Sequence, residues 1–275
     1  MLRPPMPAFH HRDFTAGHLA ETKDGRRVTV CLPARDEEAT VAAIVATVVA
    51  DLVEGHPLVD EVLVVDDGSR DHTAAIARGA GARVVRADGQ GKGAAMWTGA
   101  FEAEGDIVAF CDADVRQFSS SFVVGLLGPL LTDDDIGFVK AFYERPYEGR
   151  PGEGGRVTEL VAKPLLRRLF PHLASVLQPL AGECAGRREV LERLPFVEGY
   201  GVDLGLVIDV AARFGAAALA QVDLGHREHR NRPLEELAPQ AEAVLATALA
   251  RAGLADAVPE CPPLVEVAAY LGKTA

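Results

Sequence analysis

Four strand-like runs, Val28 to Leu32, Glu61 to Val65, Ala82 to Arg86 and Ile107 to Cys111, each lead through a short polar or glycine-rich link into a helical stretch. The helices that follow are read at Ala39 to Val53, Thr73 to Arg78, Ala94 to Ala103 and Phe122 to Leu131. Regular alternation of this kind specifies a parallel sheet with helices on both faces. Ligands of such sheets gather where the strands end, so the links carry the chemistry.

The most informative link is Asp112-Ala113-Asp114, directly after the apolar run Ile107 to Cys111. Two carboxylates one residue apart at a strand end supply hard oxygen ligands for Mg²⁺ or Mn²⁺, and such an ion can hold a diphosphate. A pair of solvated aspartates is the plain alternative. In the third link, Gly89-Gln90-Gly91-Lys92-Gly93 lies before a helix, where Lys92 is placed to meet a diphosphate or to stand as a solvated loop lysine. A dinucleotide fingerprint is rejected, because that motif belongs after the first strand with an acid about 20 residues on. The first link, Pro33 to Glu37, either caps its helix through Asp36 or touches a nucleotide base or ribose.

The rest of the chain continues the pattern less regularly, with strands at Gly137 to Phe142 and Leu219 to Leu224 and helices at Leu204 to Phe214 and Leu234 to Ala252. Gly149 to Gly155 is a glycine-rich loop, and Arg156-Val157-Thr158 opens an amphipathic helix running to Phe170. Arginine and threonine beside flexible backbone at a helix start suit an oxyanion, or serve only as a surface charge and a cap. Asp203 reads as an N-cap. His226 to Pro233 holds three arginines, two histidines and an asparagine, denser than a turn requires. Residues 1–25 read as a loosely held arm, 26–254 as one domain (a first half to about 115, a second half beyond) and 255–275 as a tail.

Composition narrows the function classes. A formal net charge of −12 argues against nucleic acid as a partner, while Lys140 to Arg168 carries seven Lys/Arg against four Glu and can receive an anion locally. No apolar run approaches the roughly 20 residues needed to cross a bilayer. The four cysteines are far apart and read as small core residues. A cytoplasmic protein without membrane partners is expected.

Several stretches in order resemble the glucosyl-3-phosphoglycerate synthases, retaining glycosyltransferases of the GT-A fold. They include Pro33-Ala34-x-x-Glu37-Glu38, Val65-Asp66-x-Gly68-Ser69, Gly91-Lys92-Gly93, the aspartate pair and Val139-Lys140-x-Phe142-Tyr143. More specific are Gly154 to Leu160, Leu177-Gln178-Pro179-Leu180, Gly199-Tyr200-Gly201-Val202 and Arg227 to Pro233. The resemblance implies an α/β GT-A fold with a mostly parallel, Rossmann-like sheet. It implies a nucleotide-sugar donor, UDP-glucose, with 3-phosphoglycerate as acceptor and Mg²⁺ or Mn²⁺ as cofactor. By that resemblance Pro33, Ala34, Arg35, Glu37 and Ser69 hold the nucleoside, Lys92 the diphosphate, and Asp112 lies beside the nucleotide. Asp114 and His229 bind the metal; Gly155, Arg156, Thr158 and Asn231 bind the acceptor; Leu180, Glu183 and Tyr200 to Asp203 line the sugar site. Lys92, Asp114, Asp203 and His229 are the expected catalytic set, and a homodimer is expected. The chain departs from the family pattern at Arg35-Asp36, where Leu-Asn is usual, and at Asp203, where glutamate is usual.

Rival readings are mannosyl transfer from GDP-mannose, transfer to a polyprenyl phosphate, and a non-catalytic nucleotide-sugar sensor. A sensor has no need of the arginine-bearing acceptor stretches.

Overall fold

The structure, a computed structural model, describes residues 6–144, 155–227 and 234–274. Its strands are β1 (Ala8–His10), β2 (Val28–Ala34), β3 (Glu61–Asp66), β4 (Arg83–Arg86), β5 (Ile107–Phe110), β6 (Phe138–Glu144), β7 (Cys184–Arg187), β8 (Phe196–Val197), β9 (Leu219–His226) and β10 (Glu260–Cys261). Eight of them form one sheet in the order β1-β9-β6-β7-β5-β2-β3-β4, while β8 and β10 make a small antiparallel pair. Among the described strands, only β7 runs against its neighbours in the large sheet. The helices are α1 (Ala16–Thr22), α2 (Val41–Val48), α3 (Thr73–Gly79), α4 (Lys92–Glu102), α5 (Ser120–Thr132), α6 (Lys163–Leu169), α7 (Arg188–Leu191), α8 (Val202–Phe214), α9 (Leu234–Arg251) and α10 (Ala268–Thr274).

Side chains of a strand point alternately to the two faces, and the core divides accordingly. Val30, Leu32, Val64 and Ala109 pack with Ile44 of α2 and Leu126 and Leu130 of α5. Their sequence neighbours Cys31, Leu63, Val65, Val108 and Phe110 pack on the other face with Met96 of α4 and Leu206 of α8. Burial on both faces explains why β2, β3 and β5 read as continuous apolar runs rather than alternating ones. Close approach is enforced at Gly99 of α4, where a Cβ would lie 2.4 Å from Cys31 Sγ. Three of the cysteines are buried and all four are free, in keeping with a core role.

Four expectations need correction. Residues 8–22 are not a loose arm: β1 pairs in parallel with β9, Leu19 is fully buried, and Phe14 lies so close over Gly128 of α5 that a Cβ there would meet its ring at 2.3 Å. The segment from 255 onward is likewise joined to the body, since β10 pairs with β8, Trp97 Nε1 donates to Pro262 O at 2.7 Å and Tyr270 is buried. The helix read at Ala39 to Val53 begins at Val41 and widens into a π-helical turn over Val49–Gly55. The helix read from Arg156 to Phe170 is divided, with a π-helical turn over Thr158–Ala162 before α6. Among the described residues, no helix is long and apolar enough to cross a membrane.

Candidate active site

The ends of β2, β3 and β5, the start of α4 and the turn before α8 surround a cavity of about 410 Å³. Its walls include Pro33, Ala34, Arg35 and Glu37 from the first link, Lys92 from the third, Asp112 and Asp114 from the fourth, and Tyr200.

The nucleotide-side loops are fixed by backbone hydrogen bonds to side chains. Asp36 N–H donates to Ser69 Oγ at 3.1 Å, Arg70 N–H donates to Asp36 Oδ1 at 2.7 Å, and Glu37 N–H donates to Thr73 Oγ1 at 2.8 Å. Asp36 has φ 56°, a left-handed conformation that Asp and Asn adopt more readily than other side chains. Asp36 therefore does not cap α2, whose N-cap is Thr40. Ser69 holds the loop rather than facing the cavity.

The glycine loop is held the same way. Gly91, at φ 89°, donates its N–H to both oxygens of Asp67 at 3.0 and 3.1 Å. Lys92 then begins α4, so the positive end of a helix and an ammonium group face one cavity, an arrangement suited to phosphate. Beside it, Thr40 Oγ1 donates to Ala113 O at 2.7 Å and orients the aspartate pair. Gly182 leaves room for the Asp112 carboxylate, since a Cβ there would lie 2.1 Å from it and displace it.

Behind the cavity wall the charges alternate in sign. Lys140 Nζ meets Asp203 Oδ1 at 2.8 Å, and Asp203 Oδ2 meets Lys92 Nζ at 2.9 Å. Lys92 is also 3.2 Å from Asp112 Oδ1. Arg227 Nη2 then meets Asp112 Oδ2 and Asp114 Oδ1, each at 3.1 Å, while its Nη1 donates to Glu183 Oε2 at 2.8 Å and Tyr143 Oη at 2.6 Å. Burial by itself would raise the Asp203 carboxyl, but the charges of Lys140 and Lys92 outweigh it and hold the group below the ordinary carboxylate range. For Asp112 burial is again outweighed, by Lys92 and Arg227, and the carboxyl is held far down. Burial would lower Lys92, yet Asp112 and Asp203 raise it well above an ordinary lysine. Asp112, Asp203 and Lys92 are therefore charged at neutral pH.

The aspartate pair fits a divalent cation. Its two carboxylates already converge on one cationic atom, Arg227 Nη2, and Asp114 is the more open of the two, with 40% of its side chain exposed. Among the described residues no three His, Cys, Asp or Glu are gathered for a metal. One or two carboxylates completed by phosphate oxygens is the usual Mg²⁺ arrangement, so the donor set suits an ion that arrives with a diphosphate.

Of the residues named from sequence, Pro33, Ala34, Arg35, Glu37, Lys92, Asp112, Asp114 and Tyr200 come together on the cavity. Asp203 and Glu183 stand behind it, each buried among cations. Leu180 is half-buried against the core, and Gly155, Arg156 and Thr158 are not among the cavity walls. His229 and Asn231 lie outside the described residues. Three contributors escaped the sequence reading as site residues: Lys140, Tyr143 and Arg227. A lysine inside the apolar run Phe138-Val139-Lys140-Ala141 was the available signal, since a lysine almost never goes fully buried without a partner.

A helix end, a lysine and paired carboxylates at the strand ends of a mostly parallel sheet suit an α/β transferase that works on a nucleotide-diphosphate sugar. Residues 29–194 match the profile of glycosyl transferase family 2. Over 263 residues the chain is 46% identical to the glucosyl-3-phosphoglycerate synthase of Mycobacterium tuberculosis (strain ATCC 25618 / H37Rv), covering 90% of this chain and 80% of the relative. It is 47% identical over 261 residues to that of Mycolicibacterium smegmatis, covering 90% and 85%. The crystal structure of the Mycobacterium tuberculosis enzyme with Mn²⁺, UDP-glucose and phosphoglyceric acid superposes with a TM-score of 0.88 at 42% identity, over 95% of this chain and 99% of that one. The chain belongs to glycosyl transferase family 2 and, within it, to the family of glucosyl-3-phosphoglycerate synthases. Its fold is GT-A.

Proposed function

We propose that the protein transfers glucose from UDP-glucose to the hydroxyl of 3-phosphoglycerate, with retention at the anomeric carbon, and requires Mg²⁺ or Mn²⁺. The observation that carries this is the cavity end where Lys92, the start of α4 and the Asp112 to Asp114 pair converge. Relatives support the substrates: one is described with UDP-glucose, Mn²⁺ and phosphoglyceric acid, another state with UDP, Mn²⁺ and glucosyl-3-phosphoglycerate.

Pro33, Ala34, Arg35 and Glu37, braced by Ser69, take the nucleoside. Asp114 with His229 holds the metal, which when bound supplies positive charge to the departing diphosphate. Lys92 binds the same diphosphate and stabilises the negative charge that grows as the bond to the sugar breaks. Gly155, Arg156, Thr158 and Asn231 bind the phosphate and carboxylate of the acceptor and direct its hydroxyl to the anomeric carbon. Tyr200 bounds the sugar on the cavity wall, and Leu180, Glu183 and Asp203 shape that side from behind it. Asp203 has both oxygens engaged by lysines and Glu183 is paired with Arg227, which supports attack on the leaving-group side. In that route the hydroxyl proton passes to the departing diphosphate oxygen. We place the protein in the cytoplasm as a homodimer.

The test offers UDP-glucose, GDP-glucose and GDP-mannose against 3-phosphoglycerate, glycerate and a polyprenyl phosphate, with products identified by mass. The expected product is glucosyl-3-phosphoglycerate from UDP-glucose, lost in EDTA and restored by Mn²⁺ or Mg²⁺. Full activity in EDTA would remove the metal from the reading. No product from any pair would favour the sensor.

A further inference from the structure

Lys140 stands in the middle of β6 between Val139 and Ala141, and only 2% of it is exposed. Withdrawing an ammonium group from water is costly, and replacing a buried ion pair by apolar side chains of similar volume is often no less stable. Core stability is therefore a poor reason for a lysine here. Its carboxylate partner is Asp203, in the first turn of α8, and that carboxylate's second oxygen holds Lys92. Lys92 is the member of the trio that reaches the cavity, with 19% of its side chain exposed against 2% and 6% for Lys140 and Asp203.

Charge balance gives the arrangement its consequence. Asp203 and Lys92 alone would form a closed pair, with the ammonium drawn onto the carboxylate and its charge cancelled. With Lys140 on the far oxygen, one carboxylate is shared between two ammonium groups. Lys140 offsets the Asp203 charge from the sheet side, so that Lys92 is shared between Asp203 and Asp112, 3.2 Å away on the cavity wall, rather than drawn wholly onto Asp203. We infer that Lys140 is a positioning residue for the transfer: holding Asp203 from within the sheet, it keeps Lys92 aimed into the cavity with its charge available to a leaving diphosphate. The inference rests on the reading of this cavity as a nucleotide-sugar site. It also accounts for the aspartate at 203, whose carboxylate spans the two lysines.

The test compares Lys140→Met, Lys140→Arg and Asp203→Asn with the double variant Lys140→Met/Asp203→Asn, in the full chain with UDP-glucose, 3-phosphoglycerate and Mn²⁺. Charge on the leaving group is larger in the transition state than in the bound donor, so kcat responds more than donor KM. Lys140→Met is expected to lower kcat by about tenfold or more while donor KM changes by less than about threefold. Lys140→Arg keeps the cation and is expected to recover kcat to within about threefold of wild type. Because Lys140 acts through Asp203, adding Lys140→Met to Asp203→Asn is expected to change kcat by less than about twofold. An unchanged kcat in folded Lys140→Met, or the same tenfold loss on the Asp203→Asn background, overturns the inference. Should Lys140→Met or Asp203→Asn alone fail to fold, the double variant, which leaves neither charge buried without its partner, is compared with wild type, and a kcat within about threefold of wild type overturns the inference. Wild-type protein run in parallel separates the two failures. No transfer by wild type removes the assigned reaction, whereas wild-type transfer with an indifferent Lys140→Met removes the inference alone.

Discussion

Both ends of the central sheet are rich in charge, yet the charges end on different partners. At the cavity end, Lys92, Lys140 and Arg227 end on the carboxylates of Asp112, Asp114, Glu183 and Asp203. At the opposite end, where β7 runs out, Arg83 and Arg27 pair with Glu61 and Glu104, but the guanidinium groups of Arg26, Arg187 and Arg188 end mainly on backbone carbonyls. Arg187 Nη2 donates to Leu130 O at 2.8 Å beside the last turn of α5, and Arg188 Nε donates to Gly105 O at 2.8 Å just past α4. Arg26 Nη2 reaches Leu131 O at 3.3 Å. Helix ends carry unmet carbonyls and partial negative charge, and these arginines satisfy both. A second cavity of about 250 Å³ lies among them, but their donors are engaged by the fold itself. A charged cluster is thus read by where its hydrogen bonds end: on backbone it builds structure, on side chains facing a cavity it is held for a ligand.

The comparison breaks most directly at Lys92. Lys92→Ala removes the cavity's ammonium while leaving α4 and the sheet intact, and kcat is expected to fall by about a hundredfold or more, as for other groups aimed at developing charge. The loss should appear in steady-state rates with the far-ultraviolet circular dichroism spectrum unchanged. A fall below about fivefold would mean that this end is as structural as the other. The converse variant is Arg188→Met, which strands the carbonyls of Ala103 and Gly105. A loss of about 2–4 kcal/mol in stability by urea unfolding is expected, with kcat at low temperature within about twofold of wild type. A large loss of kcat in folded protein would show that the distant end reaches the chemistry.

Acid separates the two ends by sign. Asp203 and Asp112 lie below their ordinary values in the folded chain, so their contribution to stability is present above the unfolded aspartate value of about 3.9 and is lost as pH falls through the folded value. Wild-type stability should therefore hold through pH 5 and fall below about pH 4. The variant Lys140→Met/Asp203→Asn should show a shallower fall, because its titrating carboxylate is gone. Arginine-to-carbonyl bonds do not titrate, so Arg188→Met should lower the thermal midpoint by a similar amount from pH 4 to 8. Midpoints measured from about pH 2 to 8 decide it, and a penalty for Arg188→Met that vanishes in acid would contradict the assignment.

The same contrast explains what could be read in the sequence. β2, β3 and β5 are buried on both faces, so each appears as an unbroken apolar run whose polar link marks the site, and Asp112 and Asp114 follow from those links, while Lys92 follows from the glycine-rich link after β4. β7 is four residues, Cys184 to Arg187, antiparallel and half glycine and alanine, with no periodic signal. β1 is three residues and becomes a strand only because β9 offers it an edge. Lys140 and Arg227 were visible as residues but not as partners, since their carboxylates come from 63 and 115 positions away. Local pattern encodes the strand ends; the pairing of charges behind them is a product of the fold.

Asp36 tests the rule where it predicts the smallest effect. It borders the cavity, yet its carboxylate ends on the backbone N–H of Arg70, so by the comparison its charge is structural and dispensable. Asn can adopt the same φ of 56° and offers a carbonyl oxygen to that N–H. Asp36→Asn should therefore shift stability by less than about 0.5 kcal/mol and the KM for UDP-glucose by less than about twofold. Asp36→Ala loses the acceptor and strains the left-handed turn, at a cost of about 1–2 kcal/mol. If Asn changed the donor KM severalfold while leaving the unfolding midpoint in place, the Asp36 charge would belong to the nucleotide, and proximity to the cavity would outrank the identity of the hydrogen-bond partner.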